Sequence, residues 1–463
     1  MAWTYRWTTI DPRALGAYRV ALGLLATLDF LRCAAWTQEL YAAGGWVPPV
    51  DPSIARTFSV LAWLDTPALV YGFFAVATAS AIAFTLGWRT RVVHALTWVC
   101  AISVHSNRFP GANAGSLILH LSLMWTLFLP MGRALSLDAR CAQAAGQRAD
   151  NTTPIWSLAV AALWLQIATI YGFNALEKWG ANWVDGTALH YFFQLDTFAT
   201  PLTLAVRDEL PLWAIQGMTH SVQAMEAAIA LFILSPWSTT LCRRLSAVFI
   251  LALHAGITIF GGIGLFPYTC MAFYLLLWPK VTPTTPPAWS PKGLLVTCCV
   301  ASLLVINTAQ GLVSNETTRT LLKGFDIPRQ TPDIFRPVVY GAQLTQRWNL
   351  FAPNVPAGEG RLVLDAITVD GEHLDPLTGL APDFGPNRAD ATDYNQFWRK
   401  YCTSVEGDSS GRFAETIGRW HLIHTEAPAL TSVDVWWVYD RSPEPGQPGG
   451  ARVIATRRLA SVR

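Results

Sequence analysis

Long apolar runs recur through the first two thirds of the chain and stop near residue 313, and beyond about 320 polar positions and turn signals take over. A helix needs roughly 20 mostly apolar residues to cross a bilayer. Runs of that kind stand at about 14–31, 67–88, 91–107, 114–131, 155–175, 211–234, 244–260, 262–279 and 292–313. They predict nine spans, or eight if 244–279, interrupted by Gly261, Gly262, Gly264 and Pro267, is one broken helix rather than a hairpin. The first run contains Arg19 and Asp29 and ends without a small-x-small cleavage pattern, so it reads as a retained helix and not a secretory leader. One boundary falls near 318, between a membrane domain (1–318) and a polar domain (319–463).

In the polar part, Arg361 to Gly371 alternates like a strand entering an Asp-Gly turn, and Ser432 to Asp440 is a second strand-like run. Phe397 to Tyr401 and Phe413 to His424 predict one or two short helices, and Pro443 to Gly450 a loop. The expected fold is mainly α, a polytopic transmembrane bundle of eight or nine spans carrying a small α+β C-terminal domain. Charge sets the expected orientation, because cytoplasmic loops keep Lys and Arg. With nine spans and the N-terminus inside, the inner segments hold Arg6, Arg13, Arg89, Arg91, Arg133, Arg140, Arg148, Arg243, Arg244, Lys280 and Lys292. The outer ones hold Arg32, Arg56, Arg108, Lys178 and Arg207, so the C-terminal domain is expected outside the cytoplasm. Trp36, Trp88, Trp179, Trp237 and Trp278, at run ends, suit the headgroup level.

Composition agrees: 52% of residues are apolar and only 14% charged, against about 25% charged in an average soluble domain. A secreted disulfide scaffold, a coiled coil and a disordered chain are excluded. The net charge of +2 gives no reason to expect a nucleic-acid partner. Eight cysteines occur without a CxxC pair, which removes a zinc ribbon and a thioredoxin-type centre. His421 and His424 have metal-ligand spacing but no third ligand nearby, so they read as surface residues and no metal is expected.

Ionisable groups inside apolar spans are costly and therefore candidates for function. They are Arg19, Asp29, His94, His120, His220, Glu226 and His254. Arg19 and Asp29 are about 15 Å apart along a helix and must find partners elsewhere. His220, Gln223 and Glu226 form one polar stripe. Such groups either glue helices together or line a pocket for a polar headgroup or a proton path.

The chain has 28 Arg but five Lys, and Lys178 is the only lysine before position 280. Lysine, unlike arginine, can lose its proton when desolvated, which makes Lys178 a candidate general base. The plainer expectation is a snorkelling lysine paired with Glu177 or Asp185.

Tyr18-Arg19 to Gly23 with Asp29, Leu129 to Asp138, Leu176-Glu-Lys178 with Trp183-Val-Asp-Gly186, and Gln346-Arg-Trp348 to Pro353 resemble the HTTM family of bacterial membrane proteins, which is similar to vitamin K-dependent gamma-carboxylase. The resemblance runs from residue 14 to at least 440. It implies a bacterial inner-membrane location, a reduced vitamin K or menaquinol cofactor, and a secreted polypeptide substrate. It implies that Lys178 is the base toward the quinol, that His254 is catalytic, and that His220, Glu226, Arg19 and Trp183 bind the cofactor. Where the carboxylase has an assisting histidine, this chain has Gly115, in Asn113-Ala114-Gly115. The alternative is a non-enzymatic membrane protein for maturation, export or immunity of a secreted polypeptide. A transporter is disfavoured by the lack of internal repeats.

Overall fold

The computed structural model describes residues 6–48, 57–106, 113–147, 152–279, 290–324, 331–386, 396–447 and 452–463. The bundle helices are α1 (Pro12–Ala34), α2 (Pro67–Leu86), α3 (Thr90–Val104), α4 (Ala114–Thr126), α5 (Leu158–Glu177), α6 (Leu212–Ile233), α7 (Thr239–Phe260), α8 (Phe266–Met271) and α9 (Pro291–Ser314). Local chemistry sets several starts. Asp11, Thr66 and Ser290 cap α1, α2 and α9, each with proline directly after, a pairing that satisfies a free amide and pre-sets the first helical angle. Gly87, with φ of +70°, ends α2 in the left-handed conformation.

Every apolar run predicted as a span contains helix. Among the described residues five helices, α1, α2, α5, α7 and α9, are long and apolar enough to cross a membrane. The others fall short for visible reasons. At 1.5 Å per residue α3 and α4 reach only about 22 and 20 Å. α6 is long enough but carries the His220 to Glu226 stripe, and 262–279 divides into α8 and a one-turn helix at Tyr274–Leu277. The chain does fold back as a hairpin over 244–279: Gly264 has φ of +56°, and Trp278 O accepts from Arg244 Nε at 3.1 Å, beside the start of α7. Of the residues used to orient the spans, Arg56, Arg108, Arg148 and Lys280 lie outside the described residues.

The C-terminal part is α+β. Strands β1 (Gly358–Thr368), β2 (His373–Leu374), β3 (Leu430–Arg441) and β4 (Val453–Val462) form one antiparallel sheet in the order β2-β1-β3-β4. Helices α10 (Gln396–Gly407) and α11 (Arg412–His424) lie between the two hairpins in sequence, and α11 packs on β3 and β4. Gly371, with φ of +85°, makes the β1–β2 turn.

Residues 339–356 thread into the bundle before that sheet begins, burying Val339, Gln343, Leu344, Gln346, Trp348 and Val355. Trp348 Nε1 and Gln166 Nε2 both donate to Gln346 Oε1 at 2.8 Å, and Gln346 Nε2 donates to Asn307 Oδ1 at 2.8 Å. Asn307 Nδ2 in turn donates to Gln166 Oε1 at 3.0 Å, which closes the network between α5, α9 and the inserted segment. A buried polar network of this kind is favourable only when its members find partners.

Candidate active site

The site starts at the C-terminal end of α5. Asn174 Oδ1 accepts the Leu350 amide at 3.1 Å, Asn182 Nδ2 donates to Val355 O at 2.9 Å, and Trp183 Nε1 donates to Phe351 O at 2.8 Å. A Cβ on Gly180 would stand 2.3 Å from Pro353 O and from Asn354 Oδ1, so the two segments meet where only glycine fits. Together they wall a cavity of about 390 Å³.

Lys178, Trp183, Glu226 and His254 all line that cavity. Lys178 is 5% exposed, and its Nζ donates to both oxygens of Glu226 at 2.9 and 2.7 Å and to Asn174 O at 3.1 Å. The ammonium also lies 5.0 Å from the Trp183 ring centroid, within cation–π reach. The partner is therefore Glu226, not the nearby Glu177 or Asp185. Glu177 accepts the Thr317 amide instead. Chain separation hid the true pair, since α6 packs along α5 and brings Glu226 across.

His254 Nε2 lies 2.8 Å from the Tyr171 hydroxyl, while its buried Nδ1 has no hydrogen-bond partner. When Tyr171 donates to Nε2, Nδ1 carries the proton and is a buried donor without a partner, on a residue that lines the cavity. Phe192, Phe198, Phe266 and Phe351 add aromatic rings to a wall otherwise largely aliphatic.

Two expected site residues stand elsewhere. His220 is exposed on α6, 3.4 Å from Gln223 Oε1, and does not line the cavity. The reason is helical phase: Glu226 faces α5, and His220 lies on the outer flank of the same stripe. Gln223 bridges the two, donating to Lys178 O at 3.0 Å. Arg19 is fully buried, but its guanidinium is consumed by carbonyls of Met131 (3.1 Å), Ala134 (3.2 Å), Leu135 (2.5 Å) and Thr85 (3.3 Å). It joins α1 to the end of α2 and to the 131–135 turn, and it does not line the cavity.

Asp29 does bridge helices, pairing with Arg32 at 2.7 Å and with His105 after α3. Cys33 lies in the same buried group, whose ligand atoms fall within 4.8 Å of one another. It could hold a metal, but both Asp29 oxygens already have protein partners. His421 is buried against Trp46 and Trp420, contrary to its reading as a surface residue, while His424 is exposed and stacked on Trp420.

Sequence reasoning missed Tyr171, Asn174, Asn349, Asn354, Arg399 and Lys400, which also line the cavity. The last two come from α10, far beyond the spans.

The HTTM domain model matches residues 7–280, more than half of the chain. The chain belongs to the HTTM domain family. The matched HTTM segment supplies Lys178, Trp183, Glu226 and His254, whereas Phe351, Arg399 and Lys400 lie outside it. Comparison with curated proteins and with solved structures finds no match.

Proposed function

We propose that this HTTM protein is a membrane-embedded enzyme that moves protons to and from a quinol-type lipid, with the Lys178–Glu226 pair as its base. The observation that carries this reading is the convergence of a buried lysine, its carboxylate partner and a histidine with an orphaned nitrogen on one cavity. The residues fit such a cofactor: the aromatic rings in the wall suit a ring, Lys178 suits its hydroxyl, and His254 Nδ1 offers a donor. The cofactor, reduced vitamin K or menaquinol, would supply reducing equivalents to O₂. Transfer of one proton from the Lys178 ammonium to Glu226 leaves a neutral amine and a neutral acid, a state that low-dielectric surroundings tolerate. The amine can then accept the substrate's hydroxyl proton. A secreted polypeptide is the proposed acceptor, and the proposed setting is a bacterial inner membrane with nine spans and the C-terminal domain outside.

The test is epoxide formation from reduced menaquinone and O₂ by the protein in lipid nanodiscs. Epoxide with wild type that disappears with Lys178→Ala supports the reading. A folded wild type that makes none overturns it in favour of the maturation or export role.

A further inference from the structure

The same cavity has a second, cationic end that the proton-transfer reading does not use. Arg399 and Lys400 line it from α10, and among the described residues neither makes a hydrogen bond or ion pair. Arg399 lies 3.9 Å from the Phe198 ring centroid, which fixes its guanidinium in place. Burial lowers its pKa to about 10. Burial, followed by the Arg399 charge, lowers Lys400 as well, although Lys400 is accessible from the cavity mouth. Since Lys178 and Glu226 cancel, the described lining keeps the positive charges of Arg399 and Lys400, against which the nearest acid is the buried Glu359 carboxylate behind Arg399, itself held by the Asp196 and Thr197 amides. A chain with five lysines thus places two of them, 178 and 400, on one cavity.

The cavity's other direction is apolar. A groove of about 540 Å³ between α6 and α7 shares Leu189, Phe192, Val222, Leu253 and Ile257 with it. Gly217 and Gly256 keep the groove open, and its outer edge carries Trp213, 75% exposed, on the face a bilayer would cover. Hydrocarbon can therefore reach the cavity sideways from the membrane.

We propose that the cavity binds an anionic lipid, an amphipath whose acidic head sits between Arg399 and Lys400 and whose chain lies in the groove between α6 and α7. This rests on the reading that the cavity is the working site, but not on quinol chemistry. Charge complementarity selects the head, because an anion satisfies two cations that make no hydrogen bond or ion pair among the described residues. The continuous apolar path selects a tail over a soluble anion.

Photocrosslinking with diazirine-tagged palmitate in neutral phosphatidylcholine nanodiscs, with labelled peptides mapped by mass spectrometry, tests this. Labels on α6 and α7 that palmitate or hexadecyl phosphate displaces at least tenfold better than hexadecanol support it, and the two acids report whether carboxylate or phosphate is preferred. Lys400→Gln, at an accessible position, and Arg399→Gln should each weaken labelling about tenfold, whereas the paired Lys178→Met/Glu226→Leu variant, which leaves the net charge of the lining unchanged, should leave it. Equal displacement by hexadecanol, or unchanged labelling in both α10 variants, overturns the proposal without touching the epoxide assay. Displacement by soluble phosphate as effective as by hexadecyl phosphate, or by a glutamate-rich peptide and not by palmitate, also overturns it. Loss of epoxide with labelling intact sinks the quinol reading alone.

Discussion

At the scale of single residues the Lys178–Glu226 pair decides most. Removing one member of a buried ion pair strands the other charge and costs roughly 3–5 kcal/mol, whereas replacing both with apolar groups of similar volume is often near neutral. Lys178→Met and Glu226→Leu should each lower the melting temperature in detergent, and the double variant should recover most of the loss with no epoxide activity. Activity in the stable double variant would make the pair purely structural. Lys178 was visible in the sequence because this chain otherwise uses arginine, but its partner was not. A contact across 48 positions is created only when α6 packs on α5. Gly115 shows the reverse case. A Cβ there would stand 2.8 Å from Phe266 Cα and 2.9 Å from Phe266 N, and backbone cannot yield as a side chain can. Gly115→Ala should therefore destabilise the protein by about 1–3 kcal/mol, read as a thermal shift. At Gly115, where the carboxylase resemblance implies a histidine, α4 instead approaches α8 too closely to leave room for a side chain.

At the scale of elements the C-terminal sheet and its helices carry titrating groups with opposite signs. Burial lowers His421 on α11 from 6.5 to about 4, and the His424 charge adds to this. Its neutral form stabilises the fold above about pH 6.5, and that contribution is lost as pH falls toward 4. Burial raises Asp375 after β2 to about 6. The ionised form is penalised in the fold, so this cost is absent below about pH 3.8 and complete once pH rises past 6. Asp375→Asn, which keeps an acceptor for the Leu377 amide, should raise the melting temperature at pH 7.5 and change little at pH 3.5. His421→Phe should narrow the difference between pH 7 and pH 4, by about 3 kcal/mol in free energy. Strands β1 and β3 and helix α11 were legible from alternation, from the Asp-Gly turn and from aromatic spacing. Strand β4 was not, because as an edge strand paired with β3 it exposes Arg457 and Arg458 and carries little apolar alternation.

At the scale of the molecule, hydrogen bonds between distant loops bear on orientation independently of hydropathy. Thr9 and Ile10, ahead of α1, pair with Trp156 and Ile155, ahead of α5. Arg243 at the start of α7 donates to Arg6 O at 2.8 Å. The starts of α1, α5 and α7 therefore share one side. At the opposite ends, Trp46 after α1 packs on Trp398, Tyr401 and Trp420 of the C-terminal part, while Lys178 and Asn182 after α5 border residues 349–355. Glu177, at the end of α5, accepts the Thr317 amide just past α9. Helices α1, α5 and α9 then run the same way. The domain boundary near 318 has less physical meaning than composition implied, since residues 339–356 are built into the bundle and complete the cavity. Arg452, bridging Asp196 and Asp440 at 3.0 Å each, ties the sheet to the loop after α5 as well. If α1 begins in the cytoplasm, as the arginine distribution predicts, everything attached to the far ends of these helices lies outside. Alkaline phosphatase fused after Arg463 should then be active and a fluorescent protein at the same point dark, while a fusion within the inner segment at Cys141, before α5, should show the opposite. A bright C-terminal fluorescent fusion would invert the bundle and carry the Arg399–Lys400 end of the cavity to the cytoplasmic face.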